Sequence, residues 1–363
     1  MPIEIESPEE FGYDQVAYNL SESSMSDLKI GDIQLSLNDL ELSYIAHRGK
    51  AAFRNLIAAE FGIPHPDNVL ITNGAAGALF IVNTAVLSAN DHLIVVRPNY
   101  ATNIEVPRAI GCAISFVDLC FEDEWRVGAE KIEAALQPNT KLISITTPHN
   151  PTGMLMTKDE IEQIIKIAER YNILLLVDET YRDTCFKTPY PLAAIKSKQV
   201  ISVSSLSKAY GLPGLRIGWL ITQNEIMEQL LAAKEMIYIA NSALDEEVAY
   251  QFYLKKETLI PIIQDNALKN FEVLKAWLAK ETRLEMIMPE GGVVCFPRFK
   301  NNVPVDTSKF YHTLIHKYKT MVGAGHWFEM PDSYMRIGFG FPTSPDFQKG
   351  LEYISKAIDE SLT

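Results

Sequence analysis

Cysteine is scarce in this chain, with four residues in 363. They stand at 112, 120, 185 and 295 with no Cys-x-x-Cys pair, a spacing that supplies neither a disulfide framework nor a zinc knuckle. Each lies in or beside an apolar segment, so all four are expected as reduced thiols, and no metal site is expected. Positive charge is also short. The 33 Lys and Arg against 46 Asp and Glu leave a net charge of −13, with no Lys/Arg run. Nucleic acid and anionic membranes attract clustered cations, so neither is expected as a partner. Long hydrophobic runs are missing too. The longest, such as Ile173–Val177, fall far short of the ~20 residues that span a bilayer. The opening Met-Pro-Ile-Glu-Ile-Glu is acidic and lacks the charged-then-apolar pattern of a secretory signal, which makes the cytoplasm the expected compartment. What remains in quantity is core. An apolar fraction of 47% with mean hydropathy close to zero is ample for a globular chain of two to three domains.

Residues 1–45 form a polar lead-in with few periodic stretches and are expected to pack with the C-terminal domain. A regular text begins at about 46. Ala51–Phe61 reads as a helix with apolar Phe53, Leu56, Ile57 and Phe61. Val69–Ile71 reads as a strand followed by a helical run Ala75–Leu87, and Leu93–Val96 as another strand. Leu142–Thr146 and Ile173–Val177 are apolar without alternation, as strands covered on both faces are. Between them, Thr157 and Glu160 make a capping box, opening a helix whose Ile161, Ile164, Ile165 and Ala168 share one face. Val200–Val203 and Ile217–Ile221 continue the strand series. Strand–helix alternation of this kind predicts a mainly parallel α/β sheet sandwiched by helices over 46–280. Long helices are expected around 225–240 and 245–280. From 281 to 363, short strands (Val293–Phe296, Met335–Phe339) mix with helices (308–318, 345–360) as a smaller α+β domain. In open parallel sheets the ligand crevice lies at the carboxyl ends of the strands. Gly74, Tyr100, Asn150, Asp178 and Lys208 each follow a strand and converge there.

Residues 202–219 carry the densest chemistry. Lys208 sits behind a hydroxyl-rich turn (Ser204, Ser205, Ser207), Gly211, Pro213 and Gly214 loosen the chain, and Arg216 follows. An amine beside hydroxyl donors and a fixed cation can hold a phosphate and form an imine with an aldehyde attached to it. Pyridoxal 5'-phosphate (PLP) carries both groups and is bound through a lysine Schiff base. The bland alternative is a Ser-rich loop with a surface lysine. Gly74, Ala75 and Ala76, at a strand–helix junction, can offer backbone N–H groups to the same phosphate. Ser205, Ser207 and Arg216 would add hydroxyls and a guanidinium fork.

Five motifs stand in order: His-Asn-Pro-Thr-Gly at 149–153, Asp-Glu-Thr-Tyr at 178–181, Ser-Leu-Ser-Lys at 205–208, Gly-Leu-Arg-Ile-Gly at 214–218 and Tyr-Met-Arg-Ile-Gly-Phe-Gly at 334–340. Together they resemble the class I/II aminotransferase family, PLP-dependent enzymes of fold type I, from about Tyr44 to the C-terminus. The resemblance implies that 46–280 is the PLP-binding domain and that Lys208 is the Schiff-base lysine. It further implies that Asp178 pairs with the pyridine nitrogen, that Tyr181 and Asn150 bond the cofactor's phenolic oxygen, and that Tyr100 lies against the ring face. Arg336 would grip the substrate α-carboxylate, with Asn150 beside it. Tyr44 would reach the phosphate of a neighbouring subunit's cofactor, making the active unit a homodimer. The implied reaction moves an amino group from an L-amino acid to a 2-oxo acid.

Two stretches depart from that family. Where many members place a glycine on the substrate side, this chain has Asn19-Leu20-Ser21-Glu22-Ser23-Ser24, so Ser21 and Glu22 are expected to face the substrate. The segment Ile239–Ala243 lacks the arginine that dicarboxylate-specific members use for a distal carboxylate, which argues against an aspartate specialist. Glu22 favours a basic or hydroxylated side chain. The alternative reaction is PLP-dependent elimination or replacement, of the kind run by capreomycidine synthase, which the compact chain and the 19–24 stretch resemble. A regulatory PLP-binding module is a third reading, disfavoured because Lys208, Asp178 and Arg336 are all present.

Overall fold

The computed structural model describes residues 6–363. Its centre is a seven-stranded sheet, formed after a two-residue strand β1 (Tyr18–Asn19). The strands are β2 (Val69–Thr72), β3 (His92–Arg97), β4 (Ala113–Asp118), β5 (Thr140–Thr146), β6 (Leu174–Asp178), β7 (Val200–Ser205) and β8 (Gly218–Thr222), in the order β2-β8-β7-β6-β5-β3-β4. Consecutive residues of each inner strand serve opposite layers. Ile143, Ile145, Leu175 and Val177 enter one apolar cluster, whereas Leu142, Leu176, Ile201 and Val203 enter the other. That is why these strands read as unbroken apolar runs.

All pairings are parallel except those of β8, which runs antiparallel to both β7 and β2. The reason is in the connection. Residues 206–217, between β7 and β8, carry only the 3-10 turn Pro213–Leu215 and no α-helix, so the chain makes no helical crossover of the kind a parallel return uses. Gly218 therefore pairs with Ser205 on one side and Thr72 on the other, and three chain segments end at one corner.

The helices follow their local signals. Ala51–Phe61 ends at Gly62 in the left-handed region. At Lys158–Tyr171 the Thr157 hydroxyl accepts from Glu160 N (3.2 Å) while the Glu160 carboxylate accepts from Thr157 N (2.6 Å). The helix expected over 245–280 is two, Ala243–Tyr253 and Lys256–Leu278. Pro261 falls in the second turn of the second helix, where it has no N–H to give to the Glu257 carbonyl.

The C-terminal part carries β9 (Leu284–Glu285), β10 (Val294–Cys295), β11 (Arg298–Phe299), β12 (Thr320–Met321), β13 (Gly323–Ala324) and β14 (Met335–Gly338), with helices Thr307–His316 and Ser344–Ser361. Its apolar cluster includes Leu20 and Met25. The polar lead-in is thus a strap: β1 pairs parallel with β12, and Leu20 O accepts from Gly338 N at 2.7 Å. All four cysteines are free thiols, but Cys120 lies exposed at a turn beyond β4 rather than in a core segment. Among the described residues no helix is long and apolar enough to cross a membrane.

Candidate active site

A cavity of about 550 Å³ opens at the carboxyl ends of the parallel strands. From the sheet side it is lined by Ala75, Ala76, Tyr100, Asn150, Asp178, Tyr181, Ser205, Ser207, Lys208 and Arg216, and from the other side by Ser21, Glu22 and Arg336. Two expected residues are not in its wall. Gly74 lies just beneath it, and Tyr44 stands on the surface, 84% exposed.

The corner around Gly218 is built for an anion. Gly74 has φ +70°, and a Cβ there would lie 2.8 Å from Arg216 Nη2. A Cβ on Gly218 would fall 2.5 Å from Gly74 C and 2.8 Å from Ala75 N. Absence of both side chains lets the start of helix Gly74–Val86, the Ser205–Ser207 turn and Arg216 close on the same point, where backbone N–H groups and the helix dipole favour negative charge. Arg216 is itself left-handed (φ 52°), and its Nη1 donates to Pro213 O (2.9 Å) and Ser207 Oγ (3.5 Å).

Asp178 closes β6 at 4% exposure. Its Oδ1 accepts from Thr180 Oγ1 (2.6 Å) and Thr180 N (3.1 Å), and no ion pair to it occurs among the described residues. Burial pushes its carboxyl above the usual range, and the bonds from Thr180 and Asn103 pull it back without cancelling that. A buried carboxylate so placed calls for a cationic N–H opposite it.

Lys208 Nζ lies 3.2 Å from Glu22 Oε1. Burial works against its charge, but the fields of Glu22 and Tyr181 outweigh burial and hold the amine above its ordinary value. Glu22 answers in kind: burial raises it, yet Lys208 and the Ser23 N–H bring it below the usual carboxylate range. The two shifts agree on an ion pair. Arg336, on β14, donates from Nη1 to Asn150 Oδ1 (3.1 Å) and from Nη2 to Ser21 O (2.7 Å), with its guanidinium 4.9 Å from the Phe328 ring centre. The Tyr181 hydroxyl donates to Ser23 O at 2.8 Å, clamping the strap over the strand ends.

Several lining residues escaped the sequence reading. Thr180 and Thr146 are ordinary strand-end threonines, and Trp327 and Phe328 sit in a loop with no motif. Glu9 and Glu10 belong to the short helix Pro8–Phe11. Only the helix had a signal, the Ser7-Pro8-Glu9-Glu10 start. Glu6 is gripped by His326 Nε2 (2.7 Å) and by Trp327 Nε1, which donates at 2.9 Å, and this brings the segment to the cavity. His149 is buried behind Asn150: its Nε2 donates to Pro98 O and its Nδ1 accepts from Thr152 Oγ1, both at 2.8 Å. Burial lowers its pKa to about 4, so the ring is neutral.

A mostly parallel sheet with a half-buried lysine, a buried strand-end aspartate and an arginine-backed anion cradle around one cavity defines a PLP-dependent enzyme of fold type I. The family model for aminotransferase class I and II matches residues 22–354, and the chain belongs to that family. Its cofactor is pyridoxal 5'-phosphate. A PLP-dependent aminotransferase from Streptococcus suis 89-1591 superposes with a TM-score of 0.89 at 25% identity, over 97% of this chain and 96% of that one. Capreomycidine synthase of Streptomyces vinaceus is 28% identical over 359 residues, 95% of this chain and 91% of that protein. Aspartate aminotransferase of Thermotoga maritima is 24% identical over 88% of this chain and 82% of that protein.

Proposed function

We propose that the protein moves an amino group from an L-amino acid to a 2-oxo acid, with PLP held covalently on Lys208. The observation that supports this most is the meeting of Lys208, Asp178, Arg216 and Arg336 around one cavity. Arg216, Ser205, Ser207 and the N–H groups of Ala75 and Ala76 would hold the phosphate, Tyr100 the ring face, and Asn150 and Tyr181 the phenolic oxygen. Asp178 would keep the pyridine nitrogen protonated. Bound there, the cofactor supplies a sink for the electron pair left on the substrate α-carbon. Arg336, preset by Asn150 and the Ser21 carbonyl, would take the α-carboxylate in a bidentate pair. Lys208, once released, is the base placed to carry the α-proton.

Borohydride reduction followed by peptide mapping tests the assignment. The label is expected on Lys208, Lys208→Ala is expected to abolish both label and turnover, and a label on another lysine would sink it. A second reading, elimination or replacement at the substrate β-carbon, draws on the likeness to capreomycidine synthase. Amino acid plus a 2-oxo acid acceptor separates the two: amino transfer supports the first, ammonia release without transfer the second. We further propose a homodimer in which Tyr44 reaches the neighbouring site. Exposed Leu42, Tyr44, Met236, Ile237 and Ile239 are the apolar residues such an interface would cover. A fully active monomer in light scattering at micromolar concentration would refute it.

A further inference from the structure

We propose that this site takes an amino acid whose side chain ends in a cation, an ammonium or guanidinium, and that Glu22 is the residue that selects it. The inference rests on the reading that Lys208 is committed to PLP.

The argument begins with how rigidly Glu22 is presented. A Cβ on Gly338 would lie 1.8 Å from the Glu22 carbonyl oxygen, so the strap sits directly on β14. Glu22 N donates to Asn19 Oδ1 (3.2 Å). Oε1 of Glu22 accepts from Ser23 N (2.8 Å) and from Lys208 Nζ (3.2 Å). Its Oε2 has no hydrogen-bond partner among the described residues and is not among the sealed, unpaired polar atoms. It therefore faces open space, and the residue lines the cavity.

Charge balance carries the rest. The cavity wall holds three cations, Lys208, Arg216 and Arg336. In the loaded enzyme each has a claimant: Lys208 the cofactor aldehyde, Arg216 the phosphate, Arg336 the substrate carboxylate. Asp178 is matched by the pyridine nitrogen. Glu22, mostly buried, then keeps its charge while Lys208, its ion-pair partner among the described residues, is either bound in the imine or released as a neutral base, and an uncompensated buried carboxylate is costly. Among the described residues no further cation lines the cavity, so the compensating charge has to arrive with the substrate. The surroundings have the same preference. Glu9 and Glu10 line the same cavity and would repel an acidic tail, while Trp327 places at the cavity an aromatic ring of the kind that accepts ammonium and guanidinium groups.

Acids without an α-amino group test this by binding alone, because they cannot react with the cofactor. Calorimetric titration of the holoenzyme should show 4-guanidinobutyrate or 5-guanidinopentanoate binding at least about tenfold more tightly than pentanoate, with glutarate weakest. In Glu22→Gln the preference for the guanidino acids over pentanoate should vanish. Glu22→Asp should keep the order. Equal affinities in the wild-type protein, or a cationic preference that survives in Glu22→Gln, would overturn the proposal. Should the Gln variant not fold, the wild-type ranking decides by itself. A labelled Lys208 with a flat ranking would sink only the selection by charge, whereas an unlabelled Lys208 would sink both readings.

Discussion

The two walls of the cavity are made in different ways. The sheet-side wall consists of residues that each end a strand or follow one: Asp178 closes β6, the Ser205–Ser207 turn and Lys208 follow β7, and Arg216 precedes β8. Their positions follow from the sheet, whose strands β7 and β8 are buried throughout and whose β6 is buried at all but its first residue. The opposite wall is folded over from afar. Ser21 to Ser23 lie in a strap, Arg336 on a four-residue strand, and Trp327 and Phe328 in a 3-10 turn. That turn is tied outward through Glu329, which pairs with Arg97 (3.3 Å) and with Arg108 on the sheet side. The first wall suits chemistry common to a family. The second can change without disturbing the sheet, and the proposed selection of substrate by Glu22 would reside there.

Removing Asp178 would break the first wall at its chemical centre. Asp178→Asn is expected to keep PLP bound, by its absorbance, while single-turnover rates fall about a thousandfold, roughly 4 kcal/mol. A rate within tenfold of wild type would reduce Asp178 to a turn former. Breaking the second wall should look different. Arg336→Ala removes the bidentate partner of a buried carboxylate, worth about 3 kcal/mol. The Michaelis constant is expected to rise about a hundredfold for every donor, with the cofactor spectrum untouched. Lost cofactor absorbance in this variant would mean that the two walls are not separable.

The smallest effect sharpens the comparison through stability. His149 lies behind the sheet-side wall and is structural, and its folded pKa of about 4 lies below the ordinary value of about 6.5. A base depressed on folding binds more protons when unfolded, so its contribution is present above about pH 6.5 and drains as pH falls toward 4. Between pH 7.5 and 5 that is about 2 kcal/mol. Urea unfolding at both pH values should show the acid loss reduced by that amount in His149→Gln. An unchanged pH dependence would show that the ring is not held neutral.

The sheet was readable because burial on both faces writes an unmistakable pattern, and the strand-end residues came with it. Lys208 and Asp178 stand where strand runs stop and Arg216 just before one begins, and the chemistry of an amine, a carboxylate and a guanidinium near glycines did the rest. The antiparallel turn of β8 was not evident in its residues, since Ile217–Ile221 looks like any buried strand and only the lack of a helix in the 206–217 connection marks its direction. The second wall was legible only in part. Arg336 and Glu22 were found through family motifs and departures from them. Trp327 and Phe328 carried no periodic or motif signal, and the helix start at Ser7–Glu10 gave no hint of where it packs, because their place depends on contacts more than three hundred residues apart, such as that of Glu6 with Trp327.

That separation bears on how the molecule comes into being. The bond from Arg336 to the Ser21 carbonyl joins positions 315 residues apart, and Gly338 receives the strap only once the chain has been made through β14. On a ribosome the strap emerges before the sheet but finds its place after it, whereas β2 to β8 can pair as they appear. A nascent chain could therefore assemble its anion cradle well before it had anywhere to put a substrate. Competence to hold the cofactor and competence to turn over would be acquired at different moments of synthesis, the second only once β14 has emerged.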